Sequence, residues 1–89
     1  MNFKYKLSPI LESKAVKFRE FANGAAQATL LLRDGTEIHE CLISMSQYIV
    51  AIWGGDDLPC NVADIVDIYQ KDIDVKSPHR SGWRYWDKW

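Results

Sequence analysis

The chain is poor in the residues that chemistry and anchoring most often use. It has two cysteines, two histidines and three prolines. It has no apolar run near the ~18 residues that a membrane-spanning helix needs. Its opening, MNFKYKLSP, lacks the apolar stretch of a secretory signal. Together these shortages predict a cytoplasmic protein with no membrane partner. Cys41 and Cys60 show no Cys-x-x-Cys spacing and read as reduced thiols rather than as a disulfide or metal ligands. His39 stands beside Glu40, but neighbours on a strand point to opposite faces, so the two make no dyad. There is no Gly-x-Ser-x-Gly elbow, no P-loop and no cluster with metal-ligand spacing. Asp64 and Asp67 read as turn and solvent residues. Asp72 and Asp74 alternate with Ile73 and Val75 as on an edge strand. The expectation is a non-enzymatic protein without cofactor or metal.

What is present suits one small folded domain over residues 1–89. Apolar residues make up 47% and charged residues 26%, a globular balance. A chain this short is only marginally stable alone, and oligomerisation is a common remedy. Charge is segregated. Residues 1–33 hold six Lys/Arg against two Asp/Glu, 34–74 hold one against nine, and 75–89 hold four against one. An acidic middle repels phosphate, so nucleic acid would have to approach from the basic ends. Alternatively, the three segments neutralise one another within the fold.

Ser8–Pro9 is a helix start, a capping side chain followed by a residue suited to the first turn. Leu11, Ala15, Phe18 and Ala22 recur at helical spacing, and Asn23–Gly24 supplies a stop. The spacing predicts a helix over 9–22, with Ser8 as its cap, packed on Leu30, Leu32, Ile38 and Leu42. From Ala26 the period becomes two. Asp34–Gly35 marks a tight turn between two strands. Tyr48–Trp53 reads as a third strand, Leu58–Ala63 as a fourth and Ile65–Tyr69 as a fifth, with Pro59 confined to an edge or a strand start. The fold class expected is mainly β with one N-terminal α-helix, as a small five-stranded, bent antiparallel barrel over 26–69.

The tail from residue 70 to 89 is aromatic and basic. Trp83, Trp86 and Trp89 recur every third residue, a spacing that can line one side of a helical turn. Disordered tails are poor in aromatics, so this one is expected to dock on its own barrel or on a neighbour. Arg80, Arg84 and Lys88 fringe it, which would also suit a platform for bases or for an acidic partner.

The helix start at Ser8-Pro9-Ile10-Leu11, the stretch LLLRDGTEIHECLISMSQYIVAIW and the later VADIVDI together resemble the Sm-like (LSm) family. The pattern is most similar to its bacterial RNA-chaperone branch, Hfq. The likeness covers about residues 8–69. It implies a ring of subunits that binds single-stranded RNA, with uridines stacked on an aromatic beside a glutamine. Gln47 and Tyr48 match those two positions. The family's Tyr-Lys-His stretch falls on Asn61-Val62-Ala63, its strand-bending glycine on Glu40 and its aspartate on Ser46. The RNA-binding candidates are therefore Gln47 and Tyr48, with Arg80, Trp83, Arg84 and Trp86 from the tail. The competing reading is an SH3-like adaptor for another protein. The acidic middle favours it, and a small acidic inhibitor of the Rho termination factor shows a similar strand-turn-strand pattern. Self-association is expected under the Sm-like reading.

Overall fold

A computed structural model describes residues 3–87. The protein is mainly β. One α-helix, α1 (Pro9–Ala15), precedes four strands: β1 (Ala25–Leu32), β2 (Glu37–Ser44), β3 (Tyr48–Ile52) and β4 (Ile65–Tyr69). A single-turn helix, α2 (Asp72–Lys76), follows them. The strands form one open antiparallel sheet in the order β3-β2-β1-β4. Among the described residues no helix is long and apolar enough to cross a membrane.

α1 starts where the sequence places it. The Ser8 hydroxyl accepts the Leu11 N–H at 3.4 Å, and Pro9 fills the first turn. The helix is shorter than expected, ending at Ala15 instead of Ala22. The Gln70 amide explains the early end. It accepts the Arg19 N–H and donates to the Arg19 carbonyl, each at 2.9 Å, holding Arg19 as a strand neighbour would. Asn23–Gly24, expected as a helix stop, instead forms a tight turn that pairs Ala22 with Ala25 and leads into β1. Leu11 and Ala15 are buried and Phe18 packs against the same core, so the apolar stripe still works over half its expected length.

The β1–β2 hairpin closes as the Asp-Gly pair predicts. Gly35 takes a φ of +91° and donates to the Leu32 carbonyl, and the Asp34 carboxylate accepts the Thr36 N–H. The fourth strand expected at Leu58–Ala63 is not a strand. The Leu58 N–H is taken by the Asp57 side chain, Pro59 has no N–H to offer, and Val62–Asp64 winds into a 3₁₀ turn. Leu58, Cys60 and Val62 still reach the core, which is why their alternation resembles a strand. The edge of β3 is paired instead by residues 5–7. Leu7 N–H donates to the Gln47 carbonyl at 2.7 Å, and Ile49 N–H to the Tyr5 carbonyl at 3.1 Å.

Both faces of the sheet are covered. One face carries α1, Leu7 and the 53–62 loop over Ala28, Leu30, Cys41, Ile43, Ile49 and Ile68. The other carries the C-terminal tail over Leu42, Val50 and Ala51. Leu42, expected under α1, belongs to this second face. A stretch with no regular helix, residues 77–87, does the covering, so the tryptophans do not line a helical turn. Trp89 and Lys88 lie outside the described residues.

Candidate functional site

The β2–β3 turn, Ser44-Met45-Ser46-Gln47, holds two of the expected site residues at its exit. Met45 and Ser46 both adopt left-handed backbone, with φ of +53° and +61°, and Gln47 N–H closes the turn on the Ser44 carbonyl. Two successive left-handed residues define the turn that best matches strand twist, and asparagine and glycine are its usual occupants. Methionine and serine therefore sit here at a conformational cost. Gln47 is half-buried, and its side-chain amide makes no hydrogen bond among the described residues. The Tyr48 ring is stacked on Phe3, centroids 4.0 Å apart, and packs on Leu42, Val50 and Trp83. One face of that ring is thus taken by the chain itself.

Beside this corner lies a groove of about 520 Å³. Phe3, Ala25, Leu42, Met45, Val50 and Tyr85 form its apolar lining. Met45 is 53% exposed and Tyr85 51% exposed, so the rim opens to solvent with large apolar side chains. Ile10 and Val16 are more exposed still, but Met45 and Tyr85 flank a groove, which makes this rim a candidate contact surface.

The tail residues fall into two groups. Trp83 and Trp86 are anchored inward. The Trp83 indole N–H donates to the His79 carbonyl at 2.7 Å, and the Trp86 indole N–H donates to the Ile49 carbonyl at 3.0 Å. Trp86 also meets Tyr5 edge-on. Arg80 and Arg84 stay exposed. Arg80 donates to the Phe21 carbonyl, and Arg84 pairs with Asp56 at 3.0 Å. The six expected site residues share no single surface: Tyr48 and Trp83 pack in one cluster, while Arg80 and Arg84 reach to Phe21 and Asp56. Gln47 and Tyr48 occupy the β3 end, and the tryptophans are spent on packing.

Sequence reasoning missed the clasp that fixes the tail. Glu40 and His79 meet with Oε2 and Nε2 2.6 Å apart. The His79 ring lies flat on Trp53, centroids 3.6 Å apart, and Trp83 closes the group edge-on. Glu40 occupies the strand irregularity of β2 in left-handed backbone, φ +57°. That geometry turns it to a partner 39 positions away rather than to adjacent His39, which sits near Glu37. A second missed group is buried. Asp74, expected on an edge strand, is 1% exposed within α2. Its carboxylate accepts from Gln27 Nε2 at 2.9 Å, Thr29 Oγ1 at 3.0 Å and Lys71 N–H at 2.9 Å. Gln27 also accepts the His79 N–H, so this network and the clasp are continuous. The available signal was two polar residues, Gln27 and Thr29, in an otherwise apolar strand.

The remaining chemistry is muted. Both cysteines are free. Burial pushes the Cys41 thiol far above its usual range, and burial and then Asp64 raise that of Cys60. Neither is poised as a thiolate nucleophile. No group of three or more His, Cys, Asp or Glu among the described residues could hold a metal ion. Compared with known proteins, the chain matches no protein-family model, no curated protein and no solved structure.

Proposed function

We propose that the protein is a non-enzymatic interaction module that takes an apolar peptide segment of another protein in the groove between the β2–β3 turn and the tail. The observation that carries this reading is the solvent-open apolar rim formed by Met45 and Tyr85. Methionine adapts its shape to varied partners, and tyrosine combines apolar area with a polar tip, so both are favoured at protein interfaces. The strain at Met45 adds support. An apolar residue is kept where glycine would be easier, and about half of it stays exposed. Panning a random peptide library on the immobilised chain tests the proposal, with Met45→Asp as counter-selection. The expected result is an enriched apolar or aromatic consensus that binds Met45→Asp at least about tenfold more weakly, or about 1.4 kcal/mol. Absence of a consensus, or equal affinity for the variant, would refute the reading.

A second reading, single-stranded RNA on a cytoplasmic Sm-like module, keeps two specific observations in its favour. Glu40, at the position of the family's bending glycine, has the positive φ that such a bend requires. The free amide of Gln47 supports the same reading. The fifth strand and barrel closure belong to it as well, with residues 5–7 in the place of the strand expected at 58–63. Self-association would then use the outer edge of β4, because the β3 edge is occupied. Two observations weigh against uridine stacking. Phe3 covers Tyr48, and the tail tryptophans point inward.

A further inference from the structure

The chain's two basic segments meet at a second cleft, of about 380 Å³. Arg19, Glu20 and Phe21 line it from the link between α1 and β1; Lys76 and Arg80 line it from α2 and the tail. The fold holds Arg19 by its backbone, between the two ends of the Gln70 amide. Its guanidinium makes no hydrogen bond or ion pair among the described residues. Arg80 gives one N–H to the Phe21 carbonyl at 3.1 Å, which orients the head group and leaves other N–H groups unspent. The Lys76 ammonium lies 3.8 Å from Asp72, in a pair that is largely exposed. Elsewhere the close pairs are matched: Lys4 with Asp57, Lys71 with Glu37 and Arg84 with Asp56, at 2.8–3.0 Å. This cleft therefore brings together three cations, of which Arg19 is unpaired among the described residues and Lys76 only loosely paired.

Two carboxylates also border the cleft. Asp74 turns inward, with both oxygens held by Gln27, Thr29 and the Lys71 N–H. Glu20 has no partner among the described residues and is the one carboxylate free to compete with an anion. Guanidinium groups offer paired N–H donors that match the oxygens of a phosphate, and Arg is the residue best suited to that geometry. We propose that this cleft binds a phosphate group, with Arg19 and Arg80 as its donors, Lys76 adding charge and Glu20 limiting affinity. The site is separate from the apolar groove and does not depend on the peptide reading.

An NMR titration of the full chain at constant ionic strength tests it, with inorganic phosphate, uridine monophosphate and oligouridine as separate probes. Phosphate is expected to shift the signals of Arg19, Phe21, Lys76 and Arg80. Arg19→Gln should weaken binding about tenfold, the loss expected for a charge-assisted hydrogen bond. Arg19 is the safer variant because its head group supports nothing in the fold, whereas Arg80→Gln also removes the bond to Phe21. Glu20→Gln should tighten binding several-fold, and Lys17→Gln, outside the cleft, should leave it unchanged. Oligouridine that binds at least tenfold tighter than the monophosphate, with a steep salt dependence, assigns the phosphate to an RNA backbone. Similar affinity for the three probes assigns it to a small phosphorylated ligand. Silence of these four residues with all three probes, or equal affinity in Arg19→Gln and the native chain, would overturn the proposal.

Discussion

Glu40, Met45 and Ser46 are the non-glycine residues held at positive φ among the described residues; Glu40 meets His79 and Met45 borders the apolar groove. A left-handed residue with a Cβ costs about 1–2 kcal/mol. Ser46→Gly should therefore raise stability by about 1 kcal/mol, measured by urea unfolding. Met45→Gly should be neutral or stabilising by the same measurement, yet should lose the selected peptide. A loss of both stability and binding would make Met45 a folding residue and nothing more. At Glu40 two effects oppose each other. Glu40→Gln keeps the strain and weakens the link to His79, whereas Glu40→Gly relieves the strain and removes that link altogether. Of these, only the bend at Glu40 was legible, through the resemblance that places a glycine there. Methionine and serine are not the residues a left-handed turn announces, and Glu40 stands beside the wrong histidine.

Between elements, the tail is held by a buried network as much as by its tryptophans. Asp74→Ala would strand the Gln27 amide and the Thr29 hydroxyl in a region shut off from water and free the part-buried Lys71 N–H. Such a loss should cost about 3 kcal/mol and lower the Tm. Asp74→Asn, which retains one acceptor, should cost less. Equal melting of the native chain and Asp74→Ala would mean that the tail docks through its aromatics and the Glu40–His79 contact without this network. The β1–β2–β3 meander was legible, because alternation and the Asp34–Gly35 turn are local signals. The partner of β3's edge was not, because pairing with residues 5–7 joins positions forty or more apart. Nor was the burial of Asp74, since a period of two over five residues fits an edge strand as well as one helical turn.

Across the whole molecule, the segregated charges mostly cancel. Lys4 pairs with Asp57, Lys14 with Asp67 and Arg84 with Asp56, joining the basic ends to the acidic middle. Hydrogen bonds from Tyr5 and then Lys4 hold the Asp57 carboxyl below its ordinary range. Lys14 does the same for Asp67, and Lys71 followed by Tyr69 for Glu37. Depressed carboxylates stabilise the fold above their unfolded values and stop doing so as they protonate. Stability should therefore fall as pH drops below about 4.5, with the 3–7 segment released only once pH passes below the ordinary aspartate range, because the depressed Asp57 carboxylate holds it. Hydrogen exchange at Leu7 and Ile49 would report that release, and Asp57→Asn should show it already at neutral pH. At the alkaline end the Glu37 carboxylate raises the Tyr69 hydroxyl to about 12. Its contribution is intact below pH 10 and is lost as pH rises towards 12.

The peptide groove is the central claim, and a paired NMR titration tests it most directly. The chain is titrated with a library-selected apolar peptide and, separately, with oligouridine. The expected result is that the peptide shifts Ala25, Leu42, Met45 and Val50, while oligouridine leaves Gln47 and Tyr48 unmoved. Shifts at Gln47 and Tyr48 with oligouridine, together with a groove that stays silent to every selected peptide, would contradict it.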